Sequence, residues 1–340
     1  MLALPTATLQ MVELDLAFNM RSPSWGPPTA DLYAAALDMS VWADRLGFST
    51  VLVSEHHNTS DGYLPSPIVM AGALAARTTQ INIKISVVLA TLMHPLHLAE
   101  DLAVVDLISG GRLQVTLGAG YRKAEFQAFQ IDWKKRPSMM REIVETLRSA
   151  WIGEEFDFRG TRVRVLPLPA RPGGPPLALA GTSEGSARRA AALDLAYEPL
   201  GERFYQAYLD ELGRLGKPLP TGRRHDGTSP YPAFIAVAED PGTYWAQIGR
   251  HVLHNVNEYA GYAQRKDLTP FAAVADPDEL LHTNQAKVYT PSQLLDAVNA
   301  AGRESPLRFN PLEGGIPPEL AWQSLRLFEH EVLPHLPSDS

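Results

Sequence analysis

Cysteine is absent from all 340 residues, which excludes disulfides, thiolate metal sites and a cysteine nucleophile, although it does not fix the redox compartment. Also missing is any uninterrupted apolar run long enough to cross a bilayer. A basic excess is lacking too. Thirty Lys and Arg face 38 Asp and Glu, and the formal charge of −8 gives a polyanion such as DNA no electrostatic reason to bind. Nucleic-acid and membrane partners are therefore set aside. The opening MLALPTATLQ has no basic region followed by an apolar segment, so residues 1–10 read as a flexible leader, and the expected location is the cytoplasm. What is present is ordinary for a globular protein, 45% hydrophobic and 20% charged.

Periodicity organises the chain into repeating units. Met11 to Phe18 reads as a strand, Asp31 opens a helix with a broad apolar side, and Thr50 to Ser54 is a short buried strand. Ser66 to Arg77 is helical and Ile81 to Leu89 a strand. In the next unit Leu98, Leu102, Val105 and Ile108 recur at helical spacing, Gly110 and Gly111 stop the helix, and Leu113, Val115 and Leu117 alternate with Gln114 and Thr116 as in a strand. A helix from Met139 to Trp151 leads to a hairpin between Phe156 and Val165 outside the main sheet, then to a proline-rich connector from Pro167 to Pro176. Leu177 to Ala180 is the next strand, a weaker unit covers Leu195 to Leu215, and Phe234 to Val237 precedes a helix from Tyr244 to Tyr262. Residues 265–285 have poor periodicity and read as an insertion; Leu307 to Phe309 is a last strand and Pro318 to Leu333 a last helix. Strands alternating with helices imply a parallel sheet, and about eight such units fit a single-domain (β/α)8 TIM barrel over residues 1–340, a doubly wound sheet being the alternative.

In a barrel, residues just after the strands meet at one mouth. The candidates are Asn19, then Glu55, His56 and His57, then Ala90 to His94, Gly118 to Arg122 and Gly181 to Ser186. Glu55, His56 and His57 could serve as a metal site, as a base with its orienting partner, or as the polar wall of a cofactor pocket; adjacent residues on extended chain point opposite ways, which argues against one shared ion. His94 with His97, and His251 with His254, share helical spacing but lack an evident third ligand. No metal is expected. Gly118, Ala119 and Gly120 have almost no side chain, which suits either a ligand wall or close helix packing. Thr182, Ser183 and Ser186 open a helix, where backbone N–H groups and the dipole suit an anion, or where Thr182 or Ser183 is simply an N-cap. Arg136, Arg188 and Arg189 could add charge there.

Several stretches, taken in order, resemble the bacterial-luciferase-like family of flavin-dependent oxidoreductases: WADRLGFSTVLVSEHH, DGYLPSP, AART, HPLHLAEDLAVVDLISGGR, LGAGYRKAEFQAF, AGTSEGSARRAA and GGIPPELAWQSLRLFEHEVLP. The resemblance implies a (β/α)8 barrel that binds reduced FMN, or the deazaflavin F420 in one branch. It puts Glu55 beside the flavin ring, His56 in the place of a proposed catalytic base, and Gly118 and Ala119 where the fourth strand passes the ring. Arg136, Gly181, Thr182, Gly185 and Ser186 fall where the phosphate is held. A non-proline cis peptide is implied at or near Ile85, Ser86 and Val87, with Ser86 in the cofactor site. Trp25, Tyr63 and Tyr121 are assigned to the substrate wall. The chain departs from the family pattern in having Gly118 where some members carry cysteine, Gln130 after Phe129, and LDLAYEP from Leu193 to Pro199. The implied function is a monooxygenase acting with O2 on a small organic substrate, supplied by a bound nicotinamide or a separate NAD(P)H:flavin reductase, and forming a homodimer. An F420-dependent dehydrogenase or reductase, a non-catalytic flavin-binding barrel and a metal-dependent hydrolase are the alternatives.

Overall fold

The computed structural model describes residues 12–221, 229–262, 272–302 and 306–336. The leader and the first part of the expected insertion lie outside them. The first half of the chain runs β1 (Leu14–Phe18), α1 (Thr29–Arg45), β2 (Thr50–Val53), α2 (Pro67–Arg77), β3 (Asn82–Val88), α3 (Pro95–Ser109), β4 (Leu113–Leu117), α4 (Lys123–Ala128) and α5 (Arg136–Ala150). A hairpin of β5 (Phe156–Phe158) and β6 (Thr161–Val163) follows, then β7 (Leu177–Gly181), α6 (Glu184–Ala192), β8 (Ala196–Pro199) and α7 (Glu202–Arg214). The last part holds β9 (Phe234–Val237), α8 (Pro241–Tyr262), α9 (Pro277–His282), β10 (Ala286–Tyr289), α10 (Pro291–Ala301), β11 (Leu307–Phe309) and α11 (Pro318–Glu331).

Seven strands pair in parallel in the order β11-β1-β2-β3-β4-β7-β8, while β9 and β10 form a separate parallel pair. The expected α/β architecture with parallel strands is present. A closed ring of eight is not: among the described residues no ladder joins the pair to the larger sheet, and β9 reaches β11 through Asn310, whose Nδ2 donates to Ala233 O at 3.1 Å. The β10–α10 unit goes unmarked in the sequence reading, since β10 directly follows the stretch of poor periodicity at residues 265–285. The antiparallel hairpin stands apart from the main sheet, as expected.

Register shows how the sheet makes a site. Leu16, Val51 and Ile83 align across one row, and Val53, Ile85, Val115 and Leu177 across another. These join the main hydrophobic core with the helices. The alternate positions point to the opposite face and are largely polar: Asp15, Thr50 and Asn82 in one row, Lys84 and Gln114 in another, and Ser86 and Thr116 beyond. Strands packed on both faces would be apolar throughout. This inner face is therefore built for polar contact, with Lys84 Nζ 2.5 Å from Glu198 Oε1 and Thr116 donating to Glu198 Oε2 at 3.0 Å. Arg112 fixes the entry to β4 by donating to the carbonyls of Ala75, Thr78 and Ile81, which ends α2 and seats β3 beside it.

Candidate active site

Two residues past β2 the chain is extended, and adjacent side chains diverge as expected. His57 Nε2 donates to Glu55 Oε1 at 2.6 Å, and Glu55 Oε2 accepts from Leu89 N at 2.6 Å. Glu55 thus staples the end of β2 to the end of β3, just past the cis peptide found between Ser86 and Val87. His56 turns the other way. Its Nδ1 lies 2.8 Å from Glu125 Oε1, and Glu125, fully buried on α4, also accepts from His57 N at 3.0 Å and Arg122 Nη1 at 3.2 Å. The Tyr121 hydroxyl sits 3.3 Å from His56 Nε2.

Aromatic rings enclose the imidazole: Tyr63, Tyr121, Tyr259 and Tyr262 stand edge-on at 4.9, 5.5, 6.1 and 5.1 Å between centroids. Burial pushes the His56 pKa below its ordinary value, against the support of Glu125. For Glu125 burial alone would raise the pKa, but the bonds from His56 and the His57 amide, with the Arg122 charge, hold it below the usual carboxylate range. At neutral pH this is a neutral imidazole against a carboxylate, with Nδ1–H donating and Nε2 left with its lone pair.

Behind the tyrosines lies a buried polar hub. Arg21, wholly buried, donates to Asp61 Oδ2 at 2.5 Å and Asn255 Oδ1 at 2.8 Å, and its guanidinium carbon lies 4.7 Å from the Tyr63 ring centre. His254 bonds the same Asp61 oxygen at 2.9 Å, and His251 Nδ1 bonds Gly314 O at 3.1 Å. Their helical spacing therefore serves the hub. Trp25, placed in the substrate wall by resemblance, packs on His251 and His254. Among the described residues no three His, Asp or Glu side chains gather to hold a metal ion, and no helix is long and apolar enough to cross a membrane.

The residues expected at a phosphate fall into a second cluster. Arg136 donates through Nε to Trp133 O and through Nη1 to Gly120 O, and stacks 3.3 Å from the Trp133 ring centre. Burial and the neighbouring Arg189 lower its pKa to about 10. Neither guanidinium has a carboxylate partner among the described residues, and both are half-buried. Arg189 also lies near Tyr197, whose hydroxyl bonds Ser186 Oγ at 2.9 Å and Gly181 O at 3.1 Å. Ser183 is the N-cap of α6, in a capping box with Ser186. The Thr182 hydroxyl makes no hydrogen bond among the described residues, and Gly185 is exposed. Ser86 Oγ instead faces Glu198 at 3.4 Å.

Two glycines prove to be sites of close packing. A Cβ on Gly118 would lie 2.7 Å from Val87 Cγ2, and one on Gly181 would lie 2.1 Å from Ser186 Oγ. Ala119 contributes its carbonyl, which accepts from Thr91 Oγ1 at 3.1 Å. Sequence reasoning did not foresee Arg21, Asp61, Glu125, Asn255, Tyr259 or Tyr262. Their signal was weak, since they sit in loops or on the faces of helices far along the chain from His56.

The structure is an α/β fold with a seven-stranded parallel sheet and a buried imidazole–carboxylate pair just beyond its second strand. The luciferase-like monooxygenase family model matches residues 14–302, and the chain belongs to that family. The crystal structure of monooxygenase RslO1 from Streptomyces bottropensis is similar, at TM-score 0.73 and 26% identity, covering 95% of this chain and 99% of that one. The F420-dependent glucose-6-phosphate dehydrogenase of Nocardia farcinica is 28% identical over 164 residues, 46% of this chain and 47% of that protein. The oxygenase component of the flavin-dependent trigonelline monooxygenase of Acinetobacter baylyi is 25% identical over 162 residues, 46% of this chain and 45% of that protein. The chain spans about half the length of the curated relatives it matches.

Proposed function

We propose that this protein is the oxygenase component of a flavin-dependent monooxygenase that binds reduced FMN and uses O2 on a small organic substrate. In this reading the seven-stranded sheet and β9 make up one (β/α)8 barrel, with β10 paired outside the ring, and a separate NAD(P)H:flavin reductase delivers the cofactor. The observation that carries it is His56: a buried imidazole held by a buried carboxylate, with its other nitrogen turned to the Tyr121 hydroxyl inside an aromatic enclosure beyond a strand end. The donor set fits the cofactor's phosphate. Arg136 and Arg189 supply two uncompensated charges, and Thr182 and Gly185 leave a hydroxyl and backbone accessible at the start of α6. Gly118 and Ala119, with Ser86 and Glu55, would border the flavin ring.

Bound reduced FMN would supply the electrons that O2 activation needs. His56 Nε2 would take or return one proton at the reacting centre, and the tyrosines would exclude bulk water. Replacing His56 with Ala should leave flavin binding intact and slow turnover about 10²–10⁴-fold; unchanged turnover with NAD(P)H, reductase and substrate would overturn the assignment. The similarity to an F420-dependent dehydrogenase supports a second reading, hydride transfer with F420. Titration with reduced FMN and F420, followed by absorbance, separates the two: tighter binding of F420 without oxygen consumption favours the dehydrogenase.

A further inference from the structure

We infer that Glu125 is the positioning residue that fixes the tautomer, orientation and basicity of His56, an assignment that rests on His56 being the acid/base group. Three donors converge on one oxygen of Glu125: His56 Nδ1 at 2.8 Å, His57 N at 3.0 Å and Arg122 Nη1 at 3.2 Å. The backbone N–H and the guanidinium hold that oxygen in place for the imidazole. Arg122 is itself anchored, donating to His57 O at 2.9 Å and lying 3.8 Å from the Tyr262 ring centre. The other carboxylate oxygen is buried with no hydrogen-bond partner among the described residues, so Oε1 makes the orienting bonds.

A carboxylate accepts and cannot donate when ionised, so it selects Nδ1–H on the imidazole. That leaves Nε2 as the bare nitrogen, and the Tyr121 hydroxyl 3.3 Å away is placed to donate to it. The charge matters as well as the direction. Burial and the cations Arg122 and Arg21 disfavour the imidazolium, and Glu125 opposes them. His57 cannot substitute, because its own ring is committed to Glu55. The arrangement is the base-with-orienter geometry that acid/base catalysis uses, built here between the loop after β2 and the short helix after β4.

The test is histidine-selective 15N NMR over a pH series on the full-length protein as purified, with the His56 signal identified by its loss in His56→Gln. The wild type should show His56 protonated on Nδ1 in its neutral form. Glu125→Gln keeps an oxygen for Nδ1–H and removes the charge, so the tautomer should persist while the midpoint falls by about one pH unit or more. Glu125→Ala should let the Nε2-protonated tautomer appear. If Glu125→Ala does not fold, the Glu125→Gln midpoint decides alone. An unchanged midpoint in Glu125→Gln overturns the assignment, as does an unchanged tautomer in a folded Glu125→Ala. Turnover separates this from the parent reading: in Glu125→Gln the acidic limb of the pH–rate profile should move with the NMR midpoint. A midpoint that moves while the profile stays put overturns His56 as the acid/base group and leaves the hold of Glu125 on the ring standing.

Discussion

Glu125 and Glu313 are carboxylates that burial pushes in the same direction, and their neighbours decide where each ends. Three donors bring Glu125 down. Glu313, bonded to Asn255 Nδ2 at 2.5 Å, has less support, and burial raises it from 4.5 to about 7. Its folded value exceeds the unfolded one, so the folded protein keeps a proton that the unfolded chain has released. The associated stability is fully present below the unfolded carboxyl range and is lost as pH rises through about 7. Glu313→Gln keeps an acceptor for Asn255 and cannot ionise. Urea unfolding should show the wild type losing on the order of 2 kcal/mol relative to this variant between pH 5 and pH 8; a flat difference would show that Glu313 does not titrate there. At this scale the sequence was legible only in part. EHH could be picked out after a strand, and its divergence follows from extended geometry. The partner of His56 was not legible, because pairing with Glu125 depends on two strand ends meeting in space. Arg21 looked like any loop arginine until the fold buried it.

Elements were more legible than contacts. Helices α1, α2, α5 and α11, strands β1 to β4 and the hairpin follow from periodicity and turn residues, with ends displaced by a few residues. The β10–α10 unit was lost because it directly follows the aperiodic stretch at residues 265–285, although Thr290 and Gln293 form a capping box that marks the start of α10. The α6 entry shows what spacing cannot decide. Small and hydroxyl residues fit both an anion turn and a cap; the structure contains the cap, with Ser186 N donating to Ser183 Oγ and Ser183 N to Ser186 Oγ, each at 3.2 Å, and it leaves the Thr182 hydroxyl outside it. Gly181 is part of this packing, because a Cβ there would strike Ser186. Gly181→Ala should therefore cost about 1–3 kcal/mol through overpacking, read from the denaturation midpoint. The same change should cost less in a Ser186→Gly background, where the obstructing side chain is gone. Strictly additive effects would mean that the strain lies elsewhere.

For the whole molecule, the outer helices raise the question of what covers them. On α3, Leu98, Leu102 and Val105 are buried in the core, while Val104, Leu107 and Ile108 are 42, 44 and 50% exposed. Ile108 recurs in the helical pattern with the core residues, yet it points outward. Val69 on α2 is 74% exposed. The solvent side of α3 is polar at His97, Glu100 and Asp101 but apolar over its last two turns, and an exposed apolar patch of this kind fits an interface better than a free surface. We propose that a second copy of this chain covers α2 and α3 about a two-fold axis, so that each patch meets its own copy. Light scattering coupled to size exclusion should give a dimer for the wild type. Leu107→Glu places a charge at the proposed contact, far from His56 along the chain, and should yield a monomer with the same far-ultraviolet dichroism. A wild type that elutes as a monomer would overturn the proposal, and so would a Leu107→Glu variant that remains dimeric, because two buried glutamates facing each other across a two-fold axis would not be tolerated without a partner charge.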